Sequence, residues 1–446
     1  MTAEPSGQRH ATATEGAYDQ YFRPGFVHSD LYVSPDLFAQ EMRLLFGAVW
    51  VYLGHESEIP GAGDFVTRRI GLRPVIMTRG REGEINVLLN RCPHRAALVC
   101  RQARGQAARF ICPYHAWTFA SDGRCLGVPM HHAYGPDFDL ADHGLRRVPR
   151  ADSYRGFVFA SLSADVAPLD EYLAHATRYL DQWLDRGDRL PVVVRAGSMP
   201  FEAHANWKVV YDNAGDGYHP PFSHISMLRV FNRRYGDVDM QYYAGNFDES
   251  PLISRDLGNG HTLLDQRPSM HKDSAWIRQH VLPGREILWA QLNEKYGEAR
   301  ALEMLDASTG SGLNLTIFPN LLIIGNQIQV LEPISVNRTT VHWYSTTLDG
   351  APDEINAIRM RMQEDFPSFG EVDDMAQFES CQQGMESVPE MPWIDIRRHM
   401  TTGVGHREED GIWTEPISSD QHMRCYFAAW REVMNQAVAK HGNADV

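Results

Sequence analysis

Two cysteine–histidine pairs constrain this chain more than any other feature: Cys92-x-His94 and, after seventeen intervening residues, Cys112-x-x-His115. Two thiolates and two imidazoles can hold a tetrahedral zinc ion, or a two-iron two-sulfur cluster in which the cysteines take one iron and the histidines the other. Each cysteine here has its own histidine at short range, so each pair can present from one loop tip and two loops can close on one centre. Zinc fingers more often use C-x₂₋₄-C with both histidines on a helix. Pro93 and Pro113 stiffen the loops. Tyr114 and Trp117 can donate toward the centre and shield it from water. Disulfides do not explain the pattern, because six cysteines in 446 residues are too few for a disulfide scaffold. Cys100, Cys125, Cys381 and Cys425 read as small buried hydrophobes.

The surroundings of the pairs read as β-structure. From Val49 to about Leu162, short apolar segments (VWVYLG, PVIMT, INVLLN, GFVFASL) alternate with turns such as PGAGD and SDGR, as in a small antiparallel all-β unit. Before it, Ser34 to Phe46 predicts a helix, capped by Ser34, opened by Pro35 and striped by Leu37, Phe38, Met42 and Leu45. After it, LDEYLAHATRYLDQWL has helical periodicity, and NLTIFPNLLIIGNQIQVLEPI with TTVHWYSTTL reads as long neighbouring strands. PDEINAIRMRMQEDF, DDMAQFESCQQGM and MRCYFAAWREVMNQAV predict three further helices. The fold class is therefore α+β: a small all-β unit set near the N-terminus of a larger unit whose central antiparallel sheet is flanked by helices. The expected division is 1–46 for an N-terminal tail and helix packing with the larger unit, 47–164 for the β unit, and 165–446 for the larger unit, with the polar first ~15 residues frayed.

A formal charge of −15 argues against a general nucleic-acid binder and suits docking to a basic partner. No run approaches the ~20 apolar residues that span a bilayer and the N-terminus has no signal-peptide core, so the expected location is cytoplasmic. The sequons at Asn314 and Asn337 carry no weight there.

A second constellation stands at Asp216, His219 and His224, spaced D-x-x-H-x₄-H. On a helix Asp216 and His219 would share a face. His224 would not, but Pro220 and Pro221 break the ladder and can re-aim the segment so that both imidazoles meet one metal. Two histidines and a carboxylate make the facial triad of mononuclear non-haem iron, with positions left for dioxygen and substrate. The carboxylate must come from elsewhere. EVDDMAQFESCQQGM offers Asp373 as a helix N-cap and Asp374, one residue further in, as the ligand.

CPHRAALVC with CPYHAWTF resembles the Rieske domain of ring-hydroxylating oxygenases, with Ala96 and Ala116 where family loops usually carry glycine. NWKVVYDNAGDGYHPPFSH is similar to the catalytic domain of the same family, and the likeness to its large (alpha) subunit runs from about Val27 to Met434. The resemblance implies a Rieske 2Fe–2S cluster on Cys92, His94, Cys112 and His115, and Fe(II) on His219, His224 and Asp374. The choice of Asp374 over Asp373 is favoured by the downstream Gln382, Gln383 and Gly384. It further implies that Asp216 bridges His115 of one subunit and His219 of the next in a trimer, and that Asn213 stands close to the iron. Dioxygen would be the co-substrate and a cis-dihydrodiol the product. No G-x-G-x-x-G fingerprint follows a strand, so electrons would come from NADH through a separate reductase, with or without a ferredoxin. A small beta subunit accompanies some members, giving α3β3 rather than an alpha trimer.

Three rivals share parts of this pattern: a monooxygenase or demethylase on the same scaffold, a zinc-clipped structural or binding protein, and an electron carrier indifferent to His219. The expected substrate is aromatic, in a pocket walled by Ile225, Met227, Leu228, Ile317, Phe318, Leu321, Leu322 and Ile323. Arg229, Arg233 or Arg234, turned inward, would clamp an aromatic carboxylate. His131, His132 and His204 read as loop or surface histidines, and Tyr218 as part of the pocket wall.

Overall fold

A computed structural model describes residues 16–186, 190–194, 197–226, 229, 233, 252–267, 285–308, 310 and 312–441. The polar start of the chain lies outside these residues, as do Met227, Leu228 and Arg234. Ser34 is extended and its hydroxyl accepts the Leu37 N–H at 3.3 Å, so helix Pro35–Gln40 begins where its cap and proline dictate. The helix then widens into a π turn, Glu41–Leu45, before a last α turn, Phe46–Ala48.

Within the π turn Glu41 is fully buried. Its carboxylate takes Lys208 Nζ at 2.6 and 2.9 Å, Trp207 Nε1 at 3.1 Å and Trp430 Nε1 at 2.7 Å. Four hydrogen bonds from three side chains satisfy a fully buried charge, and this knot ties the N-terminal helix to the larger unit. Burial lowers the Lys208 pKa even against the pull of Glu41. Removing one partner strands the other charge, so Lys208→Met is expected to cost about 3–5 kcal/mol. Urea unfolding of Lys208→Met and of Glu41→Gln/Lys208→Met checks this, with the double variant recovering part of the loss.

The β unit has a four-stranded antiparallel sheet in the order Ile85–Leu89, Arg73–Arg79, Asp64–Ile70, Arg104–Gln106. Gly71 takes φ 56° at the first position of the two-residue turn between the central strands, as such a hairpin requires. A smaller sheet, Phe110–Ile111, Thr118–Phe119 and Cys125–Gly127, completes a separate core in which Cys92 and Cys112 pack with Phe65, Leu88, Trp117 and Phe119. Strands Val51–His55 and Phe157–Ser161 instead send Tyr52, Phe157 and Phe159 into the main core.

Among the described residues the larger unit is built on nine antiparallel strands, ordered Ser198–Ala203, Arg338–Tyr344, Gln327–Ser335, Leu321–Ile324, Leu313–Ile317, His261–Asp265, Ile253–Gly258, Trp413–Pro416, His406–Arg407. Helices Trp207–Ala214, Asp353–Ser387 and Gln421–His441 flank it. The fold class matches the α+β expectation. Two of the expected helices differ: they are one 35-residue helix, Asp353–Ser387, with Pro367 inside. A proline frees the carbonyl four residues back. Here that carbonyl, on Gln363, accepts the side-chain amide of Gln327 from the sheet, and the helix continues. Asp373 therefore lies deep in a helix and caps nothing.

Candidate metal centres

The two cysteine loops are one turn built twice. Cys92 N–H donates to Ala97 O at 2.8 Å and Ala96 N–H to Cys92 O at 3.0 Å; Cys112 N–H to Trp117 O and Ala116 N–H to Cys112 O repeat both distances. Ala96 (φ 61°) and Ala116 (φ 58°) hold the left-handed conformation that glycine adopts without strain, so the backbone keeps its shape despite the substitution. Replacing Ala116 with glycine is expected to stabilise the protein by up to about 1.6 kcal/mol, the relief of about 1–2 kcal/mol less the about 0.4–1 kcal/mol of added freedom in the unfolded chain. A melting temperature below that of the parent would contradict this.

Both thiols are buried, and burial with Cys112 alongside raises the Cys92 pKa. His94 and His115 are half-buried with ring centroids 4.6 Å apart, and His94 stacks on Trp117 at 4.9 Å. His94 Nδ1 is buried without a hydrogen-bond partner among the described residues, as a ligand atom awaiting its metal would be. Zinc bonds of about 2.0–2.3 Å would draw four ligand atoms to within about 4 Å of one another. Among the described residues only His219, His224 and Asp374 bring three such atoms within 4.8 Å. An inner thiol pair and an outer imidazole pair thus fit a two-iron cluster and not a single zinc ion.

The second centre starts from Asn206. Its side-chain oxygen accepts the Lys208 N–H at 3.1 Å, capping helix Trp207–Ala214, and its amide donates to Tyr32 O and Val336 O. The N-W-K triplet is thus a mechanical anchor: a cap followed by two side chains fastened to Glu41. Beyond the helix, Gly215 passes so close to His422 that a Cβ would lie 2.1 Å from its ring. Asp216 and His219 sit in the connecting loop and not on a helix, yet His219 Nδ1 stands 3.3 Å from Asp216 Oδ2. Pro220 and Pro221 open a new one-turn helix, Pro220–Ser223, and this change of axis swings His224 back beside His219.

Asp374 Oδ1 lies 3.6 Å from His219 Nε2 and 3.4 Å from His224 Nε2. Asn213 Nδ2 is 3.3 Å from His219 Nε2 and 3.2 Å from Asp374 Oδ1, inside the same cluster. Behind each imidazole stands another carboxylate: Asp216 behind His219, and Asp373, 3.5 Å from His224 Nδ1 and accepting from Ser226 Oγ, behind His224. That place for Asp373 was not foreseen, though two adjacent acids on a helix point about 100° apart and can serve the two sides of one imidazole.

Burial would lower the His219 pKa, but Asp216 and Asp374 outweigh it and raise it; burial also raises Asp374, against the pull of both histidines. Asp216 is held low in spite of burial by its contact with His219. His219 and the buried Asp374, perturbed in this way beside His224, form a site short of a cation. The donor set fits a mononuclear iron.

A cavity of about 290 Å³ opens on this cluster. Its described wall mixes apolar side chains, Val210, Leu313, Leu322, Ile324 and Phe378, with polar ones, and the apolar residues are mostly not those expected. Ile317, Phe318, Leu321 and Ile323 belong to the core and Ile225 is exposed, so among the described residues only Leu322 of the expected apolar set lines the cavity, with Met227 and Leu228 outside the described residues. Strand alternation is the reason: Leu322 and Ile324 face the cavity, and their neighbours in sequence face the other way. Gln327, Gln329, Asn314 and the buried acid Glu371, pushed up to about 8 by burial and by Asp374, supply the polar part of the wall. Arg229 and Arg233 are exposed, not turned inward. Tyr218 is 37% exposed under the Arg398 guanidinium, 3.6 Å from its ring centroid, and does not line the cavity. His131 and His132 are exposed, and His204 stands at the surface between Glu202 and Glu379.

Residues 49–149 match the model of the Rieske [2Fe-2S] domain, and residues 169–434 that of the ring hydroxylating alpha subunit (catalytic domain). The chain is 33% identical over 407 residues to the anthranilate 1,2-dioxygenase large subunit of Acinetobacter baylyi, covering 88% of this chain and 84% of the relative. It is 34% identical over 371 residues to the toluate 1,2-dioxygenase subunit alpha of Pseudomonas putida, covering 80% and 78%. A solved structure of naphthalene 1,2-dioxygenase with indole in its active site superposes with a TM-score of 0.77 at 25% identity, over 92% of each chain.

Proposed function

The chain belongs to the large (alpha) subunits of Rieske non-haem iron ring-hydroxylating oxygenases, and on that premise we propose that it adds both atoms of dioxygen to an aromatic ring, giving a cis-dihydrodiol. The observation that carries the proposal is the convergence of His219, His224 and Asp374 on one point, with Asp216 behind His219. When bound, the cluster supplies single electrons and the iron activates dioxygen beside the substrate. Cys92, His94, Cys112 and His115 would hold the cluster; His219, His224 and Asp374 would hold the iron. Asp216, 3.3 Å behind His219 Nδ1, and Asp373, 3.5 Å behind His224 Nδ1, place a carboxylate on the far side of each imidazole, which would hold each Nε2 toward the metal. Asn213, within hydrogen-bond reach of both His219 and Asp374, keeps them oriented and borders the reacting site.

The Asp216 side chain is 35% exposed, open enough for His115 of a neighbouring subunit to reach. We propose a trimer of this chain, with or without a small beta subunit, in which that contact would form. Electrons come from NADH through a separate reductase, directly or through a ferredoxin, in the cytoplasm. We set the cluster-bearing unit at 47–164 and the catalytic unit at 165–446, with 1–46 packed on the latter. Relatives named for anthranilate and toluate dioxygenation support a single-ring aromatic substrate.

Turnover with a reductase, NADH and ¹⁸O₂ tests the proposal. Two labelled oxygens in one cis-dihydrodiol are expected. One labelled oxygen, or a demethylated product, would assign the chain to the monooxygenase or demethylase branch.

A further inference from the structure

One wall of the iron-site cavity has chemistry that holding a metal does not use. On adjacent strands Leu322 pairs with Gln329, Ile324 with Gln327, and Asn314 with Ile324. All five residues line the cavity, so one sheet face presents two aliphatic side chains and three carboxamides to the space that Asp374 enters from the opposite helix. Gln327 is engaged, donating to the Gln363 carbonyl. Gln329 differs: it is 3% exposed, and its Nε2 is buried with no hydrogen-bond partner among the described residues. An unmet buried donor destabilises a fold, and a native structure that keeps one beside a ligand cavity has an acceptor to gain on binding.

We propose that Gln329 is a specificity-determining residue of this pocket: its Nε2–H donates to an oxygen on a ring substituent, so the preferred substrate is a single aromatic ring bearing a carboxylate or carboxamide oxygen. The proposal rests on the ring-oxygenase reading and narrows its substrate class. No lysine or arginine lines the cavity among the described residues, and Gln329 is the buried polar side chain there with a donor to offer. Leu322 and Ile324 flank the amides and offer the ring an apolar floor. An apolar cavity of about 150 Å³ admits benzene. About 290 Å³ leaves room for the ring and one polar substituent.

Binding of benzoate, benzamide and toluene to the anaerobic iron-loaded protein, measured by calorimetry for the parent, Gln329→Met and Gln329→Leu, tests this. At least one oxygen-bearing probe is expected to bind the parent more tightly than toluene and to lose about tenfold in both variants, with toluene unchanged. Which probe responds separates a carboxylate from a neutral carbonyl. The melting temperature of the substrate-free variants should equal or exceed the parent's, because the unmet donor is gone. Three results would overturn the role of Gln329: toluene binding as tightly as both other probes, equal loss for all three, or a fall in melting temperature, which would mean that the amide already has a partner. The same compounds with reductase, NADH and ¹⁸O₂ keep the two readings apart. Labelled toluene product without any preference for the oxygen-bearing probes removes Gln329 and leaves ring oxygenation standing. NADH consumption without labelled product from any of them, alongside the binding preference, does the reverse.

Discussion

Asp374→Ala is expected to leave the Rieske cluster intact and strip the mononuclear iron, with oxygen incorporation falling by more than about a hundredfold. Loss of an outer partner of a metal ligand typically costs about 10–100-fold, and loss of a ligand exceeds that. Asp374 is the one carboxylate within 3.6 Å of both imidazole Nε2 atoms among the described residues, so two histidines alone would remain to hold the ion. Metal and acid-labile sulfide analysis reads the effect: two irons and two sulfides per chain should persist as the cluster, with the third iron gone. Asp373→Ala is the matched control. It removes only the group behind His224 Nδ1, so iron should stay and activity should fall by no more than about 10–100-fold. Iron lost from the Asp373 variant and kept in the Asp374 variant would reverse the assignment.

Asp216→Asn is expected to keep all metal and to slow the passage of electrons between the centres by about 10–100-fold. The side chain is held ionised by its contact with His219, so asparagine preserves its shape and removes its charge. Two effects then act together. His219 is left facing a neutral amide in place of a carboxylate, and a neighbouring His115 loses the anion that would draw it in. Stopped-flow reoxidation of the reduced cluster, with substrate and dioxygen present, isolates this step from binding. An unchanged rate would remove Asp216 from the route and leave it a purely local brace.

The metal sites are legible in the sequence to the degree that their ligands are close together in it. Cys92 to His115 and Asp216 to His224 are short loops whose spacing fixes what can converge, and Pro220 does locally what a proline after a histidine can do. Asp374 is about 150 residues from His224, and no spacing rule reaches across a sheet. Three features were misread for physical reasons that each lie far away in the chain. Pro367 reads as a break because its remedy, the Gln327 side chain, comes from another element. Asp373 then reads as a cap because the break makes it a helix start. The run NLLIIG reads as apolar wall because both faces of its strand are buried, one in the core and one at the cavity. Glu41 hides its role entirely: one acid in an amphipathic stripe gives no sign that Lys208, far along the chain, shares its burial.

The amide that stands in at Pro367 has a mechanical consequence. Gln327 belongs to the cavity floor, and the helix it fastens carries Asp374 seven residues beyond the proline. The surface on which a substrate would lie is thereby pinned to the element that brings a carboxylate to the metal, at the point where a helix is easiest to bend. A guest that shifts the floor would tug the ligand with it, so occupancy of the cavity and the geometry at the ion are two readings of one lever.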